Sequence, residues 1–216
     1  MSDNNSDRKP LRLGVLLSGG GTTLLNLLDR KKAGRLDIEV AVVIGSRPCK
    51  GIDRAADAGL ETHVVPYKMY RENKDPDGYS AEITRTLETF DVDLVILAGF
   101  LSLWKIPPRY QGKVMNIHPA LLPAFGGKGM YGHHVHEAVV AHGCKVSGCT
   151  VHFVTNEYDA GPIIAQRTVP VYDTDSPDDV ADRVFEQECI AYPEAIQLYM
   201  DGRLRVDGRI VRIAPE

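Results

Sequence analysis

Short apolar runs and longer amphipathic segments alternate along the chain, which is the hydrophobic pattern of an α/β protein. Apolar runs bounded by glycine or turn residues predict buried strands at 11–17, 38–44, 61–65 and 92–98. Apolar stripes at helical spacing predict helices from Leu24 onward, at 52–58 and at 80–90. The polar stretch 69–78 contains Pro76 and predicts a mobile surface loop. This order predicts parallel strands with helices between them.

The second half of the chain carries the pattern of antiparallel strands. Strands at 146–155 and 163–171 are joined by the short segment 156–162, so they form a hairpin rather than a crossover. Alternation around Asp207-Gly208 predicts a terminal hairpin at 203–213. The fold class is therefore α/β, a doubly wound Rossmann-like sheet with a parallel N-terminal half and antiparallel C-terminal strands.

A long helix should separate these two hairpins. Ser176 and Pro177 are a helix start signal, and Pro193 should kink or end the helix. Residues 1–10 are polar, without the apolar core of a signal peptide, and predict a disordered leader. The remainder, 11–216, should be a single domain.

Composition narrows the class of function. The 216 residues have a formal net charge of −4, unlike the concentrated basic surface of a nucleic-acid binder. No apolar run approaches the ~20 residues of a membrane span. The four cysteines lack C-x-x-C spacing, so reduced thiols in a cytoplasmic protein are expected. We therefore expect small-molecule substrates, no nucleic-acid or membrane partner, and a monomer or homodimer.

The segment 18–23 reads Ser-Gly-Gly-Gly-Thr-Thr and predicts an anion site between the first strand and the first helix. Glycines let a ligand approach the backbone, and the free N–H groups of a helix start attract negative charge. A dinucleotide fingerprint would need glycine at Leu24 and an acidic residue after the second strand, which ends in Gly45-Ser46-Arg47. A P-loop would need a lysine. A single phosphate site remains, with a merely tight turn as the alternative.

The segment 114–125 reads V-M-N-I-H-P-A-L-L-P-A-F and predicts a strand that Pro119 ends. Asn116 and His118 lie two positions apart, so their side chains leave the same face. An amide and an imidazole side by side at a strand end can orient a carbonyl and handle a proton. The alternative is a hydrogen-bonded core asparagine beside a strand-end histidine.

A third reactive group is Asp159 in the loop N-E-Y-D-A-G-P at 156–162, where the alternative is a turn residue that caps its own backbone. The glycine-rich segment 126–132 predicts a flexible loop able to close over substrates. Histidines follow it at a helix start, but no cysteine or acidic pair joins them at ligand spacing, so no metal is expected. His134 or His136 should line the mouth of the site.

Several separated motifs resemble those of the folate-dependent formyltransferases. The similar motifs are N-I-H-P-x-L-L-P at 116–123, A-G-F at 98–100, T-x-E-x-D-x-G-P at 155–162 and Q-E-x-x-x-Y-P at 187–193. The resemblance runs from about Leu11 to about Arg205 and is closest to the group that acts on 5′-phosphoribosylglycinamide. It implies formyl transfer from 10-formyltetrahydrofolate, as co-substrate, to the amine of that ribonucleotide in purine biosynthesis, with no metal.

The resemblance also implies roles for individual residues. The implied catalytic residues are Asn116, His118 and Asp159. Phosphate and ribose should be bound by Gly19, Gly20, Gly21, Thr22, Thr23 and Glu188. Folate should be bound by Arg71, Phe100, Leu101, Ser102, Leu103, Trp104, Asn116 and Tyr158. The domain then divides into a phosphate-binding half at 11–100, a folate-binding and catalytic half at 101–200 and a terminal hairpin at 201–216.

In the implied reaction the amine attacks the formyl carbon and charge builds on the formyl oxygen. Asn116 can donate to that oxygen and protonated His118 can stabilise it. If Asp159 reaches His118, its charge favours the imidazolium and helps carry the proton toward the folate nitrogen. The resemblance also implies a cis peptide bond at Leu122-Pro123.

Some positions depart from the family's pattern. Thr22 and Thr23 replace a serine and an asparagine of the phosphate turn. Ser102 and Trp104 stand where arginine and leucine are common, a change that backbone contacts to a pterin tolerate. Lys74 is an alternative to Arg71 as the cation for the folate tail, and either can be a solvated surface cation. Core packing is the alternative for Phe100 and Trp104, and solvation for Glu188.

Three other functions share parts of this pattern. The formyltetrahydrofolate hydrolase carries an extra N-terminal domain, whereas about ten residues precede the first strand here. The methionyl-tRNA formyltransferase needs a C-terminal RNA-binding domain, and nothing basic follows Arg212. A non-catalytic folate- or nucleotide-binding protein would not need Asn116, His118 and Asp159. We therefore expect the ribonucleotide formyltransferase.

Overall fold

The computed structural model describes residues 9–215, and the expected leader at 1–10 lies outside them apart from Lys9 and Pro10. The strands are β1 (Leu11–Leu17), β2 (Ile38–Gly45), β3 (Thr62–Val64), β4 (Leu94–Leu97), β5 (Val114–His118), β6 (Val146–Phe153), β7 (Ile163–Pro170), β8 (Leu204–Asp207) and β9 (Ile210–Ile213). The helices are α1 (Thr22–Lys32), α2 (Lys50–Asp57), α3 (Tyr67–Glu72), α4 (Pro76–Thr89), α5 (His133–Ala141) and α6 (Pro177–Met200).

All nine of these strands form one sheet in the order β3-β2-β1-β4-β5-β6-β7-β9-β8. The pairs from β3 to β5 are parallel, whereas β6 is antiparallel to both β5 and β7. This confirms the predicted fold class. From β1 the chain adds strands first on one side of the sheet, as β2 and β3, and then on the other side, beginning with β4. Open α/β sheets bind ligands at such a switch point, in the crevice beyond the carboxyl ends of the strands.

Alternate residues of the parallel strands enter two separate apolar cores. On β1, Val15 and Leu17 pack with α1, α5 and α6, whereas Leu16 packs with α4 on the other face. Continuous apolar runs are required because both faces of the sheet are covered. Within the described part of the chain, none of the helices has the length and apolar character needed to cross a membrane.

The predicted loop at 69–78 is wrong, because this stretch forms α3 and the first turn of α4. The Asp75 carboxylate accepts a hydrogen bond from Gly78 N at 2.8 Å, and Pro76 occupies the first helical position. A capping acid followed by proline is a helix start signal. The high charge of the segment favours a loop, in which Pro76 would interrupt regular structure. In the fold Pro76 instead begins a helix.

The helix does not end at Pro193, which was one of the two predicted outcomes, because α6 continues to Met200. A proline inside a helix leaves the carbonyl four residues earlier without its N–H donor. Here that carbonyl belongs to Cys189, and it accepts hydrogen bonds from Asn26 Nδ2 at 3.1 Å and Arg30 NH2 at 3.0 Å. Side chains of α1 therefore replace the missing backbone donor.

Removing these donors should destabilise the fold. We expect Asn26→Leu combined with Arg30→Met to lower the free energy of unfolding by about 1–3 kcal/mol, because the Cys189 carbonyl is left unpaired. Urea denaturation measures the change. Pro193→Ala is the matched background, since it restores a backbone N–H to the same carbonyl. An equal loss in both backgrounds would show that the carbonyl is not the cause.

Candidate active site

A cavity of about 490 Å³ lies beyond the carboxyl ends of β1, β4 and β5. Its wall is built from the glycine turn, the ends of two central strands, the glycine-rich loop and the first half of α6. Of the residues predicted for the site, those that line it are Gly19, Gly20, Gly21, Thr22, Thr23, Phe100, Leu101, Asn116, His118, Tyr158, Asp159 and Glu188. The structure therefore brings the phosphate turn and the three candidate catalytic residues to one cavity.

The glycine turn is shaped by contact with the start of α2. Gly21 is the N-cap of α1 at φ +73°, and a Cβ there would lie 2.7 Å from Gly51 Cα. Gly51 N in turn donates to Gly19 O at 2.9 Å. Among the described residues, no side chain caps the first N–H groups of α1, which lie at the cavity wall. A helix start of this kind favours a bound anion.

Two arginines that sequence analysis missed hold the outer side of this turn. Arg47 Nε donates to Ser18 O at 2.8 Å, and Arg54 NH1 donates to Gly20 O at 2.6 Å. Both place positive charge beside the glycine turn. Their signal in the sequence is weak, because only the fold brings the region of α2 to the end of β1.

Asn116 and His118 lie on β5, and Asp159 approaches them from the loop after β6. His118 is 4% exposed, and its Nδ1 lies 3.7 Å from Asp159 Oδ1. The other ring nitrogen, Nε2, lies 2.8 Å from the Phe125 carbonyl, which can only accept a hydrogen bond. Both ring nitrogens thus face acceptors.

The loop after β5 holds both members of this pair. Gly127 N donates to Asp159 Oδ2 at 2.8 Å, while Phe125 O contacts His118. Asp159 has φ +51°, a left-handed conformation that a residue other than glycine seldom adopts. A Cβ on Gly126 would lie 2.5 Å from a methyl group of Leu122 and 3.3 Å from Asp159 Cβ, so a side chain here would have to displace its neighbours. The bond Leu122-Pro123 is cis, as the resemblance implies.

His136 lines the cavity from α5, whereas His134 does not. His136 is 6% exposed and its Nδ1 has no hydrogen-bond partner among the described residues. Burial, and then the nearby His133 and His118, lower the pKa of His136 to about 4. The ring is therefore an uncharged part of the wall at neutral pH. Across residues 9–215, no group of three or more His, Cys, Asp or Glu could hold a metal ion.

Glu188 lies on α6 at the cavity wall, where Tyr192 fixes the helix over the central strands. The Tyr192 hydroxyl lies 3.1 Å from Leu97 O and 2.8 Å from Met115 O. Burial raises the pKa of Glu188 to about 7. A half-buried carboxyl at this position can accept or donate hydrogen bonds to ligand hydroxyl groups.

The remaining predicted folate residues lie in two different places. Ser102, Leu103 and Trp104 line a smaller cavity of about 80 Å³, which shares Phe100, Asn116, Tyr158 and Asp159 with the main one. The Trp104 indole is buried and donates to Thr84 Oγ1 at 3.1 Å, so this ring also has a core role. Arg71 lies on α3 and Lys74 follows that helix. Both are exposed, and neither lines a cavity.

Comparisons with known proteins identify the family of the chain. The model of the formyl transferase family matches residues 11–196. A chloroplastic phosphoribosylglycinamide formyltransferase from Vigna unguiculata is 38% identical over 91% of this chain. The chain spans 64% of the length of that relative, and between 14% and 20% of the trifunctional purine biosynthetic proteins that it also matches.

Solved structures share the fold over nearly the whole chain. Glycinamide ribonucleotide transformylase 1 from Symbiobacterium toebii is 40% identical with a TM-score of 0.85, covering 96% of this chain and 95% of its own. A formyltetrahydrofolate deformylase from Pseudomonas syringae pv. tomato is 26% identical with a TM-score of 0.83, covering 95% of this chain and 66% of its own. With the family model matched from β1 into α6, the chain belongs to the formyl transferase family.

Proposed function

We propose that the chain transfers a formyl group from 10-formyltetrahydrofolate to the amine of 5′-phosphoribosylglycinamide in purine biosynthesis. The observation that carries the proposal is the single cavity that joins an anion-binding helix start to Asn116, His118 and Asp159. An amine whose phosphate is bound at this helix start would reach these three side chains. The cytoplasmic location and the monomeric or dimeric state stay predictions.

The two ends of the cavity suit the two substrates. The phosphate would bind the N–H groups of 19–23, with Arg47 and Arg54 adding positive charge behind the turn. Glu188 would bind the ribose hydroxyls from α6. The apolar segment 98–104, together with Tyr158, would hold the folate heterocycle, with Asn116 at the junction of the two cavities.

The chemistry needs a stabilised oxyanion and one proton transfer. The amine nitrogen attacks the formyl carbon, and the new C–N bond forms while negative charge builds on the formyl oxygen. An Asn116 N–H and the His118 imidazolium stabilise that oxygen. The bond from carbon to N10 of the folate then breaks as the His118 imidazolium gives a ring proton to N10, and the neutral ring takes up the proton that the amine loses. Asp159, 3.7 Å from His118 Nδ1, favours the charged form of the ring before and after this exchange.

Formyltetrahydrofolate hydrolysis is the second candidate, because a deformylase structure shares this fold. In that reaction water replaces the amine as nucleophile. Absorbance assays of folate turnover with and without the ribonucleotide separate the two. We expect turnover that depends on the ribonucleotide, and turnover in its absence would favour the hydrolase.

Replacing His118 tests the chemical step. We expect His118→Ala to lower kcat by at least ~10²-fold, the range for loss of a general acid–base group. His63→Ala on β3, which lines neither cavity, is the matched control and should keep wild-type kcat. Urea denaturation verifies that both variants fold. Near-normal kcat in a folded His118→Ala protein would contradict the mechanism.

Replacing Gly21 tests the phosphate site. Gly21→Ala forces a Cβ into the turn, so we expect the KM for the ribonucleotide to rise far more than the KM for the folate. Gly34→Ala is the matched control, since Gly34 has a similar φ of +66° but nothing within 4 Å of a Cβ and no place in the cavity wall. The dephosphorylated riboside should be insensitive to Gly21→Ala. Equal increases for both substrates would place the phosphate elsewhere.

Glu188 gives the fold a specific pH dependence. The folded-state pKa of about 7 exceeds the ordinary value of 4.5, so the folded chain keeps its proton while the unfolded chain ionises. Stability contributed by the protonated group is full below pH 4.5 and is lost as the pH rises through 7. Glu188→Gln should therefore gain stability over wild type across this window, by about 1–3 kcal/mol.

Chemical denaturation between pH 4.5 and 8 measures the difference. Glu186→Gln, on an exposed neighbouring position of α6, is the matched control and should show no such trend. The Glu188 variant should also raise the KM for the ribonucleotide. Parallel stability curves for all three proteins would show that the Glu188 carboxyl is not desolvated.

A further inference from the structure

His152 is a buried histidine that the proposed mechanism does not use. It lies on β6 directly opposite Asn116 of β5, and 1% of its surface is exposed. Its Nε2 lies 3.2 Å from Asn116 Nδ2, and its Nδ1 lies 2.9 Å from the Phe153 carbonyl oxygen. Each ring nitrogen thus has one partner, and the chemistry of the partners determines which nitrogen carries hydrogen.

The partner of Nδ1 assigns the tautomer of His152. A carbonyl oxygen can only accept, so Nδ1 carries the hydrogen and donates it to Phe153. Burial lowers the pKa of His152, so the ring has one hydrogen and Nε2 has a lone pair. Nε2 is then the acceptor for an N–H of the Asn116 amide.

The Phe153 carbonyl is open to His152 because of the residues opposite it. Phe153 N donates to Pro162 O at 2.9 Å, and the return bond of that antiparallel pair would need an N–H on residue 162. Proline has no N–H, so the Phe153 carbonyl oxygen remains free to accept a hydrogen bond from the His152 ring. A Cβ on Gly161 would lie 1.7 Å from this carbonyl oxygen and 3.4 Å from His152 Nδ1. The Gly-Pro pair after Asp159 therefore makes room for the His152 hydrogen bond.

The tautomer of His152 allows one orientation of the Asn116 amide. If the amide were turned over, its oxygen would face the Nε2 lone pair, and two acceptors would lie in contact. In the orientation present, one N–H of Asn116 Nδ2 bonds His152. The Asn116 side chain makes no second hydrogen bond within the described residues, so its other N–H is left for a ligand in the cavity.

We propose that His152 is a positioning residue that fixes the amide of Asn116 so that an N–H faces the formyl oxygen. This inference rests on the oxyanion role proposed for Asn116. Asp159 is not the group through which His152 acts, since Asp159 Oδ1 lies 3.8 Å from His152 Nε2 and both atoms are acceptors. His152 therefore acts on Asn116 directly, across the β5–β6 strand pair.

Two substitutions separate the two ring nitrogens. His152→Asn keeps a donor near the position of Nδ1 and removes the acceptor at Nε2. His152→Gln reaches the position of Nε2 and can present an oxygen to Asn116. We expect His152→Asn to lower kcat by about 10- to 100-fold with little change in either KM, and His152→Gln to recover most of the loss. A merely structural role predicts equal losses in both, and that result would overturn the proposal.

Double-mutant cycles identify the residue through which His152 acts. In an Asn116→Ala background, His152→Asn should have no further effect on kcat, whereas in an Asp159→Asn background it should keep its full effect. Additivity with Asn116→Ala would overturn the proposal. Wild-type kcat in Asn116→Ala itself would instead refute the oxyanion role in the proposed function, so the two failures are distinguishable.

A measurement on the unmodified protein covers the case in which the variants do not fold. Two-dimensional ¹H–¹⁵N NMR of the histidine rings should show His152 protonated at Nδ1 and unprotonated at Nε2 from pH 6 to 8. A ring protonated at Nε2 in this range could not accept from Asn116, and this result would overturn the proposal.

Discussion

The antiparallel register between β5 and β6 is the constraint on which the candidate site depends. It places His152 opposite Asn116 and Thr150 opposite His118. The Thr150 hydroxyl donates to Ala120 O at 2.7 Å and accepts from Leu122 N at 3.0 Å, so it anchors the turn that follows β5. A slip of one residue would reverse the faces of every side chain on the strand. The register thus determines the placement of Asn116 and His118 and the path of the loop beyond them.

Three buried histidines near this register have different partners. His152 and His136 have pKa values lowered mainly by burial, so they are uncharged donors or acceptors. His118 instead lies between the Phe125 carbonyl and the Asp159 carboxylate, both of which are acceptors. His118 and His136 line the main cavity, whereas His152 lines the smaller one beside it.

The sequence predicts the elements whose signals are local. β1, β2 and β5 are recognisable from apolar runs, and the glycine turn from the spacing of its residues, because these features depend on near neighbours. Pro193 was misread because its replacement donors, Asn26 and Arg30, lie far away on α1. His152 and Arg54 were missed for the same reason, since each acts through a partner that only the fold brings near. The error at 69–78 was different, because a local capping signal was present at Asp75 but was outweighed by the charge of the segment.

The loop after β5 stabilises two residues of the candidate site that adopt unfavourable backbone conformations. Asp159 and Phe125 both adopt positive φ, at +51° and +52°, conformations that cost of order 1–3 kcal/mol for residues other than glycine. Each is held by one hydrogen bond to this region, from Gly127 N to Asp159 Oδ2 and from His118 Nε2 to Phe125 O. Movement of 125–127 would break both bonds together, and the carboxylate and the imidazole would lose their mutual orientation. The His118–Asp159 pair therefore keeps its geometry only while this segment keeps its present conformation, which couples the glycine-rich loop beside the cavity to the candidate catalytic residues within it.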